Sequence, residues 1–269
     1  MIIDVDDPLD SRVAVYREVR ERDVAGRRDG FIAEGEVVLR VLARSPLHRA
    51  DSLLIARERI GRAENLLARF GENTPVYSAS RAVMDGLVGF PIHRGMLAFG
   101  RRRAPATAED LILALPRRAI VVVLVGISNH DNIGGIFRNA AALGAHGVLL
   151  DATCCDPLYR KAIRVSVGAA LTVPFARTAA SADALGLLER QGFECLALTP
   201  GGETRLAAVR RSDRAAVLLG GEGSGLPLDL LSRARTVFIP MAGGFDSLNV
   251  ATASGIVLNH LTFDNRRHG

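Results

Sequence analysis

Five strongly apolar runs in the second half of the chain limit its fold more than any other feature. The first, residues 120–125, is a continuous β-branched stretch of the kind found in strands buried on both faces of a sheet. Similar runs follow at residues 147–150, 194–198, 215–219 and 236–239, with helical periodicity at residues 133–143, 182–191, 228–234 and 248–261. This alternation predicts an α/β domain with a mostly parallel sheet that is covered by helices on both faces.

The first hundred residues predict a smaller α/β unit. Short apolar runs at residues 31–33, 51–55, 75–77 and 95–100 alternate with helical patterns at 12–24, 34–43, 58–70 and 78–87, the last capped by Ser78. Residues 101–107 are basic, contain a proline and lack an apolar pattern. We therefore divide the chain into a domain at 1–100, a linker at 101–118 and a domain at 119–269. The three arginines at 101–103 suit a solvated hinge, with phosphate contact as the alternative.

Composition excludes several classes of protein. Hydrophobic residues make up 48% of the chain and charged residues 23%, but no apolar run reaches the roughly 18 residues of a membrane span. The acidic N-terminus does not resemble a signal peptide. The three cysteines show neither a disulfide framework nor a metal-ligand spacing, and the histidines form no ligand pair. We therefore expect a cytoplasmic protein with no membrane and no metal partner.

The chain is basic, and its charge is carried almost entirely by arginine. The formal net charge is +5, and only Lys161 among the 34 basic residues is a lysine. Because the guanidinium fork suits phosphate, a polyanionic partner is one explanation, and a genome-wide bias toward arginine explains the composition equally well.

Three strand-to-helix corners concentrate polar residues and glycine. Residues 126–144 contain Asn132 and Arg138, residues 218–227 contain Glu222 among glycines, and residues 238–258 contain Ser247 and Asn249. In parallel sheets, ligands bind in the crevice beyond the carboxyl ends of the strands. We expect Asn132 and Ser247 to cap their helices, with Arg138 pointing outward within reach of this crevice.

Each corner also has a purely structural explanation. The asparagine and serine suit helix caps, the arginine suits a surface charge, and Glu222 suits a carboxylate at a helix N-terminus. The glycine-rich corner is not a P-loop, since no Gly-Lys-Ser/Thr follows at the required spacing. A nucleotide loop of an oxidoreductase remains an alternative, although the corner comes late and lacks the acidic residue expected about 20 positions later.

In their order and spacing, the corners resemble the SpoU/TrmH group of the SPOUT superfamily, S-adenosylmethionine-dependent RNA ribose 2′-O-methyltransferases. The matching segments are Asn132-Ile133-Gly134 with Arg138, Gly220-Gly221-Glu222-Gly223 with Gly225-Leu226, Ile239-Pro240-Met241 and Ser247-Leu248-Asn249-Val250. Residues 164–169, followed by Val173-Pro174, also resemble the family. Residues 31–35 and 93–98 resemble its L30e-like RNA-binding domain. Gly221 is a departure, since many relatives carry asparagine there, although a glycine still offers its backbone amide.

The resemblance implies a trefoil knot in the C-terminal domain, a homodimer with a shared active site, and S-adenosylmethionine bound in the knot. The implied cofactor-binding residues are Leu198, Thr199, Gly220, Gly221, Ile239 and Leu248. The implied catalytic residues are Asn132, Arg138, Glu222, Ser247 and Asn249. By this carry-over, Arg138 acts on the ribose 2′-hydroxyl. Its guanidinium gives up a proton only with great difficulty, so phosphate binding or stabilisation of an alkoxide is the physically easier role.

The same carry-over assigns Asn132, Ser247 and Asn249 to positioning. Glu222 then orients Arg138 or the backbone of its corner. The resemblance of the N-terminal domain favours ribosomal RNA over transfer RNA as the substrate. A catalytically silent relative that only holds RNA is the rival, although all five motif positions are filled.

Overall fold

The computed structural model describes residues 2–17, 30–89, 91, 92, 94–103, 107–243, 245 and 247–263. The chain forms two compact units. The first contains residues 1–104 and 156–172, and the second contains residues 105–155 and 173–269. Residues 156–172, which the sequence interpretation placed in the C-terminal domain, therefore pack with the N-terminal unit.

The first unit is built on a five-stranded sheet. Its strands are β1 (Ile2–Val5), β2 (Gly30–Glu34), β3 (His48–Ala56), β4 (Val76–Ala79) and β5 (Met96–Arg102), in the order β1-β4-β3-β5-β2. Within residues 1–104 its helices are α1 (Glu36–Leu42), α2 (Ile60–Leu67) and α3 (Arg81–Val88), with 3-10 turns at Ser11–Tyr16 and Arg57–Arg59. Strands β1, β4 and β3 are parallel, whereas β5 is antiparallel to both β3 and β2.

A buried tyrosine organises the core of this unit. Tyr16 is fully buried, and its hydroxyl bonds Ser52 Oγ at 2.8 Å while accepting the Phe99 backbone N–H at 3.1 Å. Its polar tip is therefore satisfied inside an apolar cluster, as buried phenols require.

Side-chain contacts explain why residues 156–172 belong to the first unit. Their helix α6 (Arg160–Val165) packs on β2, where Arg160 Nη1 lies 2.7 Å from Glu34 Oε2 in a nearly buried ion pair. The hydroxyl of Ser45 donates to the Leu171 carbonyl at 2.5 Å. Pairing a buried carboxylate is strongly favoured over leaving it alone, and no local pattern in the sequence reveals that partner.

The second unit contains a seven-stranded, entirely parallel sheet. Its strands are β6 (Ala119–Val125), β7 (Gly147–Leu150), β8 (Phe175–Arg177), β9 (Glu194–Leu198), β10 (Thr204–Arg205), β11 (Arg214–Gly220) and β12 (Arg235–Phe238). They lie in the order β10-β12-β9-β11-β6-β7-β8. This confirms the predicted α/β fold with a parallel sheet. The trefoil knot stays a prediction.

Helices cover the sheet of the second unit. They are α4 (Ala108–Leu113), α5 (His130–Ala142), α7 (Ser181–Arg190), α8 (Leu228–Arg233) and α9 (Val250–Thr262). Residues of α4, α7 and α8 share one core cluster with alternate residues of β6 and β11. Helices α5 and α9 pack against each other, α5 also against β7 and α9 against β11. Among the helices of the described residues, none has both the length and the apolar character needed to cross a bilayer.

Short elements were the ones that the sequence interpretation missed or misplaced. It did not predict β1, β8, β10 or α6, each of which is too short to show a clear period. Ser78 lies buried within β4, and Ser80 caps α3 by accepting the Val83 N–H. The predicted helix at 12–24 begins as a 3-10 turn, and its residues 18–24 lie outside the described residues, as does residue 93 of the L30e-like match.

Candidate active site

A cavity of about 750 Å³ opens where three neighbouring strands of the second unit end. Strands β12, β9 and β11 are adjacent and parallel, so their carboxyl ends meet at one edge. The segments that follow these strands line the cavity. All six residues predicted to bind the cofactor are among the lining: Leu198, Thr199, Gly220, Gly221, Ile239 and Leu248.

Main-chain groups in close contact form much of this edge. A Cβ atom added to Gly220 would lie 2.4 Å from the Gly225 carbonyl carbon, and one added to Gly202 would lie 2.7 Å from that of Val237. Such distances leave no space for any side chain. These glycines are required by packing, because they let the segments after β9 and β11 run directly against neighbouring backbone.

Gly221 is held even more tightly, and its role differs from the expectation. Its N–H donates to the Val125 carbonyl at 2.8 Å, so this amide is already occupied within the protein. A Cβ at Gly221 would lie 2.3 Å from the Gly126 carbonyl oxygen. An asparagine, which the family resemblance leads us to expect at this position, would not fit this backbone. The glycine is therefore a packing requirement in this chain and does not offer its amide to a ligand.

Three predicted catalytic residues, one from each corner, form a single hydrogen-bonded network. Asn132 Nδ2 donates to Glu222 Oε1 at 2.9 Å, and Asn249 Nδ2 donates to Asn132 Oδ1 at 2.8 Å. A longer bond of 3.4 Å joins Asn249 Nδ2 to the same Glu222 oxygen. The carboxylate therefore accepts hydrogen bonds from both amides. The sequence interpretation had allowed Arg138 as its partner, but its partners are these two asparagines.

The caps of the two site helices also differ from the expectation. Asn129 caps α5 by accepting the Asp131 N–H at 2.8 Å, and Asn132 lies buried in the first turn. Asn249, not Ser247, caps α9, with its Oδ1 accepting the N–H groups of two following residues. Asparagine and serine are both good caps, so a sequence that offers two of them close together does not identify which one begins the helix.

Ser247 and Arg138 complete the predicted set. Ser247 lines the cavity together with Glu222 and Asn249. Arg138 is exposed on α5, and within the described part of the chain it has no hydrogen-bond or ion-pair partner. Its guanidinium is therefore available to an anion. The structure brings Asn132, Glu222 and Asn249 into direct contact, whereas Arg138 stands apart from their network.

Asp151 anchors the first corner and was missed by the sequence interpretation. Its carboxylate is buried at the end of β7 and accepts N–H groups from Gly126, Thr153 and Cys154. The Cys154 thiol donates to the Leu124 carbonyl, and burial raises the pKa of this thiol to about 12, so it remains a donor. A signal existed: a polar residue directly follows a buried strand of a parallel sheet, at the edge where sites form.

No metal site emerges from the geometry of the described residues. Nowhere in those ranges do three or more His, Cys, Asp or Glu side chains form a group able to hold an ion. The polar chemistry of the cavity rests instead on amides, a carboxylate, hydroxyls and backbone.

Comparisons with known proteins identify the family of this chain. The SpoU rRNA Methylase family model matches residues 119–259, which contain the whole parallel sheet with all three corners. An uncharacterised tRNA/rRNA methyltransferase of Mycobacterium tuberculosis (strain H37Rv) is 40% identical over 273 residues, covering 96% of this chain and 91% of the relative.

Two solved structures share the fold over nearly the whole length. The S-adenosylmethionine-bound rRNA methyltransferase of Sinorhizobium meliloti gives a TM-score of 0.81 at 24% identity, covering 99% of this chain and 98% of that one. A protein described as an RNA 2′-O ribose methyltransferase gives 0.75 at 22% identity, covering 98% and 99%. With the family model matched over residues 119–259 and a relative aligned along almost its full length, this chain belongs to the SpoU rRNA methylase family and is an RNA methyltransferase.

Proposed function

We propose that the protein transfers a methyl group from S-adenosylmethionine to a ribose 2′-hydroxyl of ribosomal RNA. The network that joins Asn132, Glu222 and Asn249 beside the main-chain cavity is the observation that carries this proposal. It joins polar groups from three separate corners, and two of them, Glu222 and Asn249, line the cavity. A solved relative with the same fold, described as a 2′-O ribose enzyme, supports the choice of oxygen over a base.

The cavity fits the proposed methyl donor. Its lining combines apolar side chains such as Ile239 and Leu248 with backbone at Leu198, Thr199 and Gly220. Apolar walls with a few main-chain groups can hold a purine and its ribose without a charged side chain. The solved Sinorhizobium meliloti relative holds S-adenosylmethionine. When bound, this cofactor supplies a methyl group on a sulfonium, which is ready for attack by an oxygen nucleophile.

Arg138 provides positive charge for the substrate. The proposed acceptor is a ribose hydroxyl, a weak nucleophile that must be oriented and must lose its proton during attack. A guanidinium is a poor base, so Arg138 holds the phosphate next to the ribose and stabilises the negative charge that grows on the oxygen. The methyl group would pass from the sulfonium sulfur to this oxygen, leaving a neutral thioether, and the hydroxyl proton would pass to solvent. Exposure on α5 leaves the side chain able to reach an RNA backbone.

Glu222 and the two asparagines act through position. The carboxylate fixes the amide of Asn132, and Asn132 in turn accepts from Asn249 at the start of α9. Ser247 lies two residues before this cap and lines the cavity. The network thus holds the corner that carries Ser247 against the helix that carries Arg138, as a reaction that depends on orientation requires.

Several further properties belong to the same proposal. The family model is named for rRNA methylation, and the arginine-rich composition suits RNA. We propose that the protein works in the cytoplasm as a homodimer, with the N-terminal unit binding RNA through an L30e-like fold, and that the second unit is knotted.

The experiment is methyl transfer from labelled S-adenosylmethionine to ribosomal RNA and, separately, to transfer RNA, followed by nucleoside analysis. One labelled 2′-O-methylnucleoside in the ribosomal pool is the expected result. Label in transfer RNA would show that transfer RNA, not ribosomal RNA, is the substrate. Label on a base would overturn the assignment to the ribose. Arg138→Ala is expected to lose transfer while keeping most of its RNA affinity.

A further inference from the structure

Two helices carry the proposed catalytic groups, and they touch along faces of small residues. Helix α5 carries Asn132 and Arg138, and α9 begins at the cap Asn249. A Cβ atom added to Gly135 would lie 2.7 Å from the Ala251 Cβ. The helices therefore approach as closely as backbone and methyl groups permit, and a small sliding motion between them would change the geometry of the network.

Asn139 joins the helices at this contact. Its Nδ2 donates to the Ala251 carbonyl oxygen at 2.6 Å and to Ser254 Oγ at 2.9 Å. The Ser254 hydroxyl, which is completely buried, donates to the same carbonyl at 2.7 Å. One amide therefore holds a backbone oxygen and a side chain of the facing helix together. Because it spans two elements, this clamp fixes both their separation and their register.

The spacing connects this clamp to the site. Residues 132, 135 and 139 are three and then four apart, so they share one face of α5. On the facing helix, Ala251 lies two residues after Asn249. Along α5, the 2.8 Å bond between Asn249 and Asn132 lies about two turns N-terminal to Asn139. Any change of register at Asn139 is transmitted to that bond through two short rigid segments.

We propose that Asn139 is a positioning residue for methyl transfer, which acts by holding α9 in the register that lets Asn249, Asn132 and Glu222 bond. It touches neither substrate nor cofactor in this proposal. The inference rests on the proposed function for its kinetic consequence, but its structural part, the coupling between Asn139 and Asn249, stands without it. The sequence interpretation assigned no role to this residue.

The chain supplies a matched control on the same helix pair. The Thr262 hydroxyl, at the far end of α9, donates to the Leu143 carbonyl at the end of α5 at 2.7 Å. Like Asn139, it forms a side-chain bond to backbone across the two helices. Thr262→Val removes this bond but leaves the register near the site to Asn139. Asn139→Ala and Thr262→Val should both lower stability, but only Asn139→Ala should disturb the network.

The kinetic experiment compares Asn139→Ala, Ser254→Ala and Thr262→Val in the full chain. For Asn139→Ala we expect kcat to fall about 10- to 100-fold, with the KM for RNA and the Kd for S-adenosylmethionine within about twofold of wild type. Ser254→Ala keeps the bond from Asn139 to Ala251, so its kcat should fall less than that of Asn139→Ala. Thr262→Val keeps the wild-type kcat. A wild-type kcat in Asn139→Ala, or an equal loss in Thr262→Val, would overturn the proposal.

A second measurement needs no activity and covers a variant that folds poorly. Urea midpoints are compared for Asn139→Ala, Asn249→Ala and the double variant. If the clamp positions the network, the double variant shifts by less than the sum of the single shifts. For the double variant of Thr262→Val with Asn249→Ala, the shift in the urea midpoint should equal the sum of the two single shifts. Additive shifts in the Asn139 pair would refute the coupling. If wild type methylates no RNA, the proposed function fails, and this cycle still decides the role of Asn139.

Discussion

Replacing Glu222 is the most direct test of the network. Asn132 is only 5% exposed, and its Nδ2 donates to Glu222 at 2.9 Å. Glu222→Ala leaves this buried donor without its acceptor, which costs about 1 to 3 kcal/mol. The expected loss lies near the lower end of this range because little is lost at Asn249. Its bond to Glu222 is long at 3.4 Å, and it keeps Asn132 Oδ1 as an acceptor. We therefore expect a loss of about 1 to 2 kcal/mol in the free energy of unfolding.

Glu222→Gln separates charge from connectivity. The glutamine keeps an oxygen that can accept from Asn132 but loses the charge that strengthens the bond. Its expected cost is below about 1 kcal/mol, and its kcat should lie between those of wild type and Glu222→Ala. Glu109→Ala, which removes an exposed glutamate on α4, is the control and should keep the wild-type rate.

The assay pairs urea unfolding with methyl transfer on the same preparations. The order of stability and of kcat should be wild type, then glutamine, then alanine. Wild-type stability in both Glu222 variants would mean that the network does not hold the corners together. A glutamine variant as inactive as the alanine variant would show that the charge itself acts in the reaction, and the positioning role would then be wrong.

Three further predictions concern packing and titration. Gly221→Asn should cost about 1 to 3 kcal/mol in urea unfolding because its Cβ has no space, whereas Gly201→Ala, in open space, should be neutral; equal effects would contradict the packing role. Burial lowers the pKa of His48 from 6.5 to about 4, so stability present above pH 6.5 should fall by about 2 to 3 kcal/mol as pH drops to 4. His48→Asn should flatten that slope, and an unchanged slope would refute the assignment. Burial raises the pKa of Cys154 to about 12 and of Cys195 to about 11, leaving less than about one thiolate in a thousand at pH 8. Mass spectrometry after alkylation of the folded protein should find neither Cys154 nor Cys195 labelled. Labelling of either thiol before unfolding would contradict this prediction.

Much of the second unit was predictable because its signals are local. Long β-branched runs such as residues 120–125 exclude most alternatives to a buried parallel strand, and β6, β7, β9, β11 and β12 all lie where the sequence predicts them. The five proposed catalytic residues and the six proposed cofactor-binding residues came from the resemblance to the SpoU/TrmH group, which rests on the order and spacing of motifs along the chain. The composition of each corner could be predicted because its residues are close together in the sequence.

Contacts between distant residues were not readable in this way. The sequence shows Glu222 and Asn132 but not that they bond across 90 positions, so Glu222 was assigned to Arg138 or its own corner. The family resemblance leads us to expect asparagine at position 221, but only the packed backbone reveals the Gly126 oxygen against Gly221. Residues 156–172 carry the signals of the second domain, yet the Arg160–Glu34 ion pair ties them to the first unit.

The sequence by itself determined the type of fold, the order of its elements and the residues available for chemistry, because periodicity and turn-forming residues act over a few positions. Tertiary structure decided which of two caps begins each site helix, which amides the carboxylate receives, and how Asn139 sets the register of α5 and α9. Those outcomes depend on distances between segments that are about 90 to 117 residues apart, and such distances exist only once the sheet has assembled.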